Sequence, residues 1–273
     1  MKLKDIFMEH EQFLRDGDLK SSLESIQNQI RLDAANVKHR IFLFQLLAIL
    51  GSWDRAAKQL DVIAKMDVST LAMVHEYRAA IECELFREDV FIGKHNPVFV
   101  GQPDEWQALI IQSLKSLSEN NESDSNKLRT QALEKAPTTA GTINGDAFEW
   151  IADADTRLGP LLEVFVEGQY RWVSFANMKR IAIEAPENLR DFVWMPAHIQ
   201  WATEGESFVL IPTRYPFSAE QNAQLALSRK TEWIEKKEGS FIGFGQRLFT
   251  TDANDYSLLD VRDVYFEQVS SAG

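Results

Sequence analysis

The sharpest acidic pair in the chain is Asp153 with Asp155, set in Trp150-Ile151-Ala152-Asp153-Ala154-Asp155-Thr156-Arg157-Leu158-Gly159-Pro160. Two carboxylates so spaced in a loop could chelate a divalent cation or divide acid and base roles. The same spacing also suits a structural purpose, in which each carboxylate accepts backbone N–H bonds in turns and pairs with Arg157. The structural purpose is favoured, because no base, nucleophile or metal cluster accompanies the pair. His10, His39, His75, His95 and His198 are scattered, with no two at a metal-ligand spacing. HExxH, Walker A and GxSxG patterns are absent. Asp252-Ala253-Asn254-Asp255 lacks the Gly and closing Glu of a calcium loop and reads as a hairpin tip. Gly243-Phe244-Gly245 has no helix pattern after it, so it is a weak phosphate cradle. A metal-dependent hydrolase using Asp153 and Asp155 is the remote alternative, and no metal or cofactor is expected.

Two further segments mix aromatics, prolines and arginines. Leu189-Arg190-Asp191-Phe192-Val193-Trp194-Met195-Pro196 carries Arg190, Asp191, Trp194 and Pro196, and Leu210-Ile211-Pro212-Thr213-Arg214-Tyr215-Pro216 carries Pro212, Arg214 and Tyr215. Such mixtures make protein contact surfaces, where Trp, Tyr and Arg dominate the energy. They equally suit a core that buries an Arg–Asp pair, and the sequence leaves both readings open.

The elements that position these residues follow from composition and period. With 273 residues and 45% hydrophobic side chains, the chain can fill one large domain or two ordinary ones. Its net charge of -12 repels a phosphate backbone, which argues against nucleic acid as a main partner. The densest basic run, Arg229-Lys230 with Lys236-Lys237, is interrupted by acids and reads as a solvated helix face. The single cysteine, Cys83, excludes an intrachain disulfide and reads as a small buried residue. The N-terminus has no signal-like apolar region, and no stretch reaches the ~18–20 apolar residues of a membrane span. The expected compartment is the cytoplasm, with no membrane insertion.

Shifting the first 70 residues by 34 aligns Gly17 with Gly51, Leu19 with Trp53, Leu23 with Ala57 and Ile26 with Leu60, as well as Phe7 with Ile41 and Phe13 with Leu47. That period is the tetratricopeptide one, with helix A ending at each Gly; a plain helical bundle is the competing reading. Further helices are expected over 69–85, 103–117 (carrying Trp106) and 126–135, with a polar loop at 118–125. From Leu161 the period becomes two. A hairpin turns at Glu167-Gly168-Gln169, and strands are expected at 180–183, 197–201, 208–211, 247–250 and 258–266. A turn falls at Thr203-Glu204-Gly205-Glu206, and a polar helix covers 218–230. The predicted fold class is α+β: a tetratricopeptide-like helical domain over 1–137, then a mainly antiparallel β domain with one helix over 138–273. The intervening 142–160 carries Ile143, Phe148, Trp150 and Ile151, so it reads as a structured connection.

Taken together, the Trp150–Pro160 motif, Arg190-Asp191, Trp194-Met195-Pro196 and Ile211-Pro212-Thr213-Arg214-Tyr215-Pro216 resemble the signature of the ImpE/SciE/TagJ family. Gly245-Gln246-Arg247, Leu258-Leu259-Asp260-Val261-Arg262 and Ala132-Leu133-Glu134 fit the same pattern, so the resemblance spans essentially the whole chain. It implies an accessory protein of type VI secretion that binds the N-terminal helix of the small sheath subunit, TssB (also called VipA). It further implies an effect on sheath assembly or turnover, without catalysis. The resemblance assigns no contact residues. Physical reasoning adds an apolar groove for the partner helix, on the helical half or at its junction with the β half, with Trp106 and Trp150 marking the two locations. The alternative is a tetratricopeptide-like scaffold or chaperone for another partner, such as a secreted effector.

Overall fold

Gly17 and Gly51 both take left-handed backbone, at φ +79° and +63°, where a side chain would be strained. They end the first helices of two successive helical pairs in the computed structural model, which describes residues 9–236 and 239–267. The pairs are α1 (Glu9–Asp16) with α2 (Leu19–Leu32) and α3 (Val37–Ile49) with α4 (Trp53–Met66). Asp18 and Asn36 cap α2 and α3 by accepting the Ser21 and Lys38 N–H groups. Residues 17 and 51 thus bear out the 34-residue match, whereas Phe7 lies outside the described residues.

Helix α5 (Leu71–Phe91) runs six residues beyond the expected end at residue 85. An irregular segment then leads to the hairpin of α6 (Glu105–Ser118) and α7 (Glu122–Lys135), so the polar loop expected at 118–125 is present but narrows to 119–121. Asp104 and Gln107 form a capping box on α6, and Asn121 caps α7.

The other half is built on an eight-stranded antiparallel sheet in the order β2-β1-β13-β6-β7-β8-β4-β5. Its strands are β1 (Gly141–Ile143), β2 (Asp146–Phe148), β4 (Leu161–Val166), β5 (Gln169–Ser174), β6 (Met178–Ile183), β7 (Trp194–Trp201), β8 (Glu206–Pro212) and β13 (Asp263–Phe266). A second sheet joins β3 (Ile151–Asp153), β11 (Leu248–Thr251) and β12 (Asp255–Ser257), and β9 (Thr231–Glu235) pairs with β10 (Phe241–Gly245). The α+β reading and the hairpins at 167–168 and 203–205 hold. Gly243-Phe244-Gly245 lies within a strand, and 252–254 is the tip between β11 and β12. The expected strand at 258–266 forms only over β13, because 258–260 turn back on Ser257.

The expected polar helix at 218–230 is also corrected. Phe217 sits at φ +63°, and Ser218 Oγ donates to the Tyr215 carbonyl while accepting from Gly245 N–H. Only a 3-10 turn (Ser218–Glu220) and the four-residue α8 (Ala223–Ala226) result, and Ser228 at φ +53° ends them. Arg229 and Lys230 therefore precede a strand and do not line a helix.

Strand β4 is buried on both faces. Leu161 and Phe165 join a core shared with α2 to α7, Trp172 and Trp194. Leu162 and Val164 join a second core with Phe175, Ile181, Phe249 and Val264. The first core spans both halves of the sequence.

Arginines also tie the halves together. Arg214 Nη1 donates to the Ile49 carbonyl (2.6 Å) and Nη2 to the Ala48 carbonyl (2.9 Å) at the end of α3. Arg229 Nη2 and Nη1 donate to the Leu14 (2.8 Å) and Arg15 (2.9 Å) carbonyls at the end of α1. These carbonyls occupy equivalent positions in the 34-residue repeat, and each guanidinium supplies charge where the helix dipole is negative.

Candidate functional site

Glu163, in the middle of an otherwise apolar strand, is wholly buried. A buried carboxylate without partners is costly, and here two guanidiniums meet it. Arg87 of α5 donates through Nε (2.7 Å) and Nη2 (3.0 Å) in a bidentate pair, and Arg247 Nη2 donates from the opposite half. Tyr170 Oη donates to Glu163 and accepts from Trp172 Nε1. Arg87 also pairs with Glu84, which accepts from Trp194 Nε1 at 3.0 Å. Arg247 donates from Nη1 to Asp153 and from Nε to the Pro212 carbonyl.

The acidic pair continues this chain. Asp153 accepts the Asp155 N–H (2.8 Å) and the Tyr215 hydroxyl (3.0 Å) besides Arg247. Asp155 accepts Arg157 N–H, Arg157 Nε and Gly243 N–H, each at 2.9 Å, and Arg157 Nη2. Arg157 lies over the Phe91 ring at 4.6 Å. All four carboxylate oxygens therefore face internal donors, and no group of three potential metal ligands occurs among the described residues.

Burial sets the electrostatics. It raises Asp153 to about 7, with Arg247 opposing. It works against ionisation of Glu163 too, but Arg87 and Arg247 outweigh it and bring Glu163 to about 2. Arg214, desolvated against helix-end carbonyls, falls to about 10, partly offset by Glu84. Burial pushes the Cys83 thiol up to about 12, which removes its nucleophilic form at neutral pH.

The structure gathers most of the singled-out residues at this junction. Asp153, Asp155, Arg157, Trp194, Pro212, Arg214 and Tyr215 line or adjoin the network. Trp194 packs at a tilt of 33° against both Trp53 (centroids 5.9 Å apart) and Tyr77 (5.7 Å). Arg190 lies 4.7 Å over the Tyr77 ring, and Asp191 Oδ2 accepts the Glu187 and Asn188 N–H groups. Pro196 is part-buried in β7. Trp106 is buried in α6, 3% exposed, so it offers no surface to a partner.

Trp150 is 39% exposed and lines a cleft of about 370 Å³ with Leu133, Pro137, Ile151 and Thr250. A second cleft, of about 460 Å³, lies between α5 and strands β4 and β8.

Residues 145–265 match the ImpE protein family. Over 263 residues the chain is 45% identical to the type VI secretion system accessory component TagJ of Pseudomonas aeruginosa, covering 96% of this chain and 92% of that protein. The chain belongs to the ImpE family. The crystal structure of protein VPA1032 from Vibrio parahaemolyticus shares its fold, with a TM-score of 0.88 over 97% of this chain and 99% of that one, at 22% identity.

In this ImpE-family chain, sequence reasoning passed over Glu84, Arg87 and Glu163, although they hold the network together. One signal was present: Glu163 interrupts Leu161-Leu162-Glu163-Val164-Phe165-Val166, and a charge in a doubly buried strand calls for a buried partner. Nothing local could point to Arg87, 76 residues earlier.

Proposed function

We propose that this chain is a non-enzymatic, cytoplasmic accessory component of a type VI secretion system. It binds the N-terminal helix of the small sheath subunit, TssB or VipA, and affects sheath assembly or turnover. The observation that carries this reading is the 45% identity with TagJ across nearly the full length of both proteins. Two features support it. The carboxylate pair that suggested hydrolysis is committed to internal donors. No helix among the described residues is long and apolar enough to cross a membrane.

The 34-residue helical repeat favours one second reading, a scaffold or chaperone with another protein partner. Fluorescence anisotropy with a labelled peptide of the sheath subunit's N-terminal helix separates the two. Binding in the micromolar range or tighter, lost on scrambling the peptide, is expected. A folded chain that ignores the peptide moves the function to another partner.

A further inference from the structure

Glu76 projects from α5 into the cleft of about 460 Å³ that the helix forms with β4 and β8. Ala79, Phe165 and Leu210 line this cleft, Glu167 and His75 border it, and Phe208 stands 47% exposed beside it. Burial raises the Glu76 pKa, opposed only by Arg190. Arg190 acts from a distance, because its guanidinium lies over the Tyr77 ring and no cation comes within 4.0 Å of Glu76 among the described residues. Glu76 is therefore a half-buried carboxylate with apolar neighbours and no hydrogen bond or ion pair among those residues. Such a group binds a cation better than a solvated one does, because much of its desolvation has already occurred in the free protein. The cleft beside Trp150 offers no comparable charge, since the oxygens of Asp153 are already taken.

We infer that the cleft between α5 and strands β4 and β8 docks an amphipathic helix that sets a Lys or Arg side chain on Glu76 and Glu167 and an apolar side chain on the exposed Phe208 and part-exposed Ala79. Charge complementarity selects this occupant: the cleft has an apolar floor and two carboxylates, in a chain of net charge -12 that steers cationic segments towards it. One turn of helix brings a basic and an apolar residue three or four positions apart onto the same face, which suits the floor and the carboxylates together. The inference rests on the proposed function, because it places the sheath-subunit helix at this cleft.

The test uses the full chain and the labelled sheath-subunit peptide. Glu76→Gln keeps the shape and removes the charge, and Phe208→Ala trims an exposed ring; both variants should retain the wild-type unfolding midpoint. Each is expected to weaken binding roughly tenfold, and Glu76→Gln should also flatten the salt dependence. A peptide with its Lys and Arg residues changed to Gln should lose affinity on the wild type and lose markedly less on Glu76→Gln, where only Glu167 remains to meet a cation. Trp150→Ala should bind like the wild type. Undiminished binding by Glu76→Gln together with loss in Trp150→Ala overturns this placement and leaves the proposed function standing. An unchanged affinity for the Gln-substituted peptide also overturns it, and failure of the wild type to bind the native peptide removes both.

Discussion

Glu163 shows how one residue can hold distant parts of a chain together. Its oxygens meet Arg87 from the helical half and Arg247 from the far end of the β half, with all three side chains buried. Removing one member of such a set strands the others without water, which costs about 3–5 kcal/mol. Glu163→Gln should therefore lower the urea midpoint substantially. The pH dependence has a definite sign. The folded-state pKa of about 2 lies below the ordinary 4.5, so this stabilisation is present above about pH 4.5 and is lost as pH falls towards 2. Asp153 has the opposite sign: its raised pKa of about 7 against 3.8 gives a contribution that declines as pH rises from 3.8 to 7. Urea titrations at about pH 5 and about pH 3 should show a steeper acid loss in the wild type than in Glu163→Gln. Equal losses would mean that Glu163 is not an ionised buried group. The Asp155–Arg157 turn was legible in the sequence as a carboxylate with its own counter-ion two residues on, whereas Asp153 takes Arg247 and not Arg157. The Arg247 and Arg87 contacts were not, because a folded sheet brings them together across long sequence separations.

The elements divide along the same line. Hairpin β4–β5, with its turn at Glu167-Gly168, was readable because alternation and turn chemistry are local. Segment 218–230 was misread because its polar spacing suggests a helix, while contacts with Tyr215, Gly245, Arg214 and the end of α1 set its path. Strands β9 and β10 were missed for a related reason. Thr231–Glu235 carries charges and lies mostly exposed, so it has no alternation to read. What anchors this hairpin is Gly243: a Cβ there would fall 2.5 Å from the Tyr215 ring and 2.8 Å from Trp233. Tyr215 in turn holds Asp153. Gly243→Ala should consequently disturb the hairpin and the buried network together, with a loss of about 1–3 kcal/mol from overpacking. Loss of near-ultraviolet aromatic dichroism alongside a lower midpoint would support this, and a neutral substitution would show that the hairpin can lift away freely.

At the scale of the molecule, a division at residue 137 remains a proposal about folding units. The shared core runs from Leu19 to Leu227, and the ionic chain crosses from α5 to β4 and on to Arg247. Fragments 1–137 and 138–273 are therefore expected to lack cooperative unfolding when expressed apart, while the full chain unfolds in one transition. Two transitions, or a stable fragment, would show that the halves are independent. The α+β class and the helical repeat could be read from period alone, whereas the junction could not, because it is made almost entirely of long-range pairs. The arginine caps on that junction bear on how such a chain can grow. Open helical arrays lengthen by duplication, since each unit needs only its neighbour. Here Arg229 takes the carbonyls at Leu14 and Arg15, and Arg214 takes their counterparts at Ala48 and Ile49. A third pair inserted between them would carry the two helix ends apart and leave one set of carbonyls without its guanidinium. The β half thus acts as a gauge that admits two helical pairs, and inheritance can vary their sequence far more freely than their number.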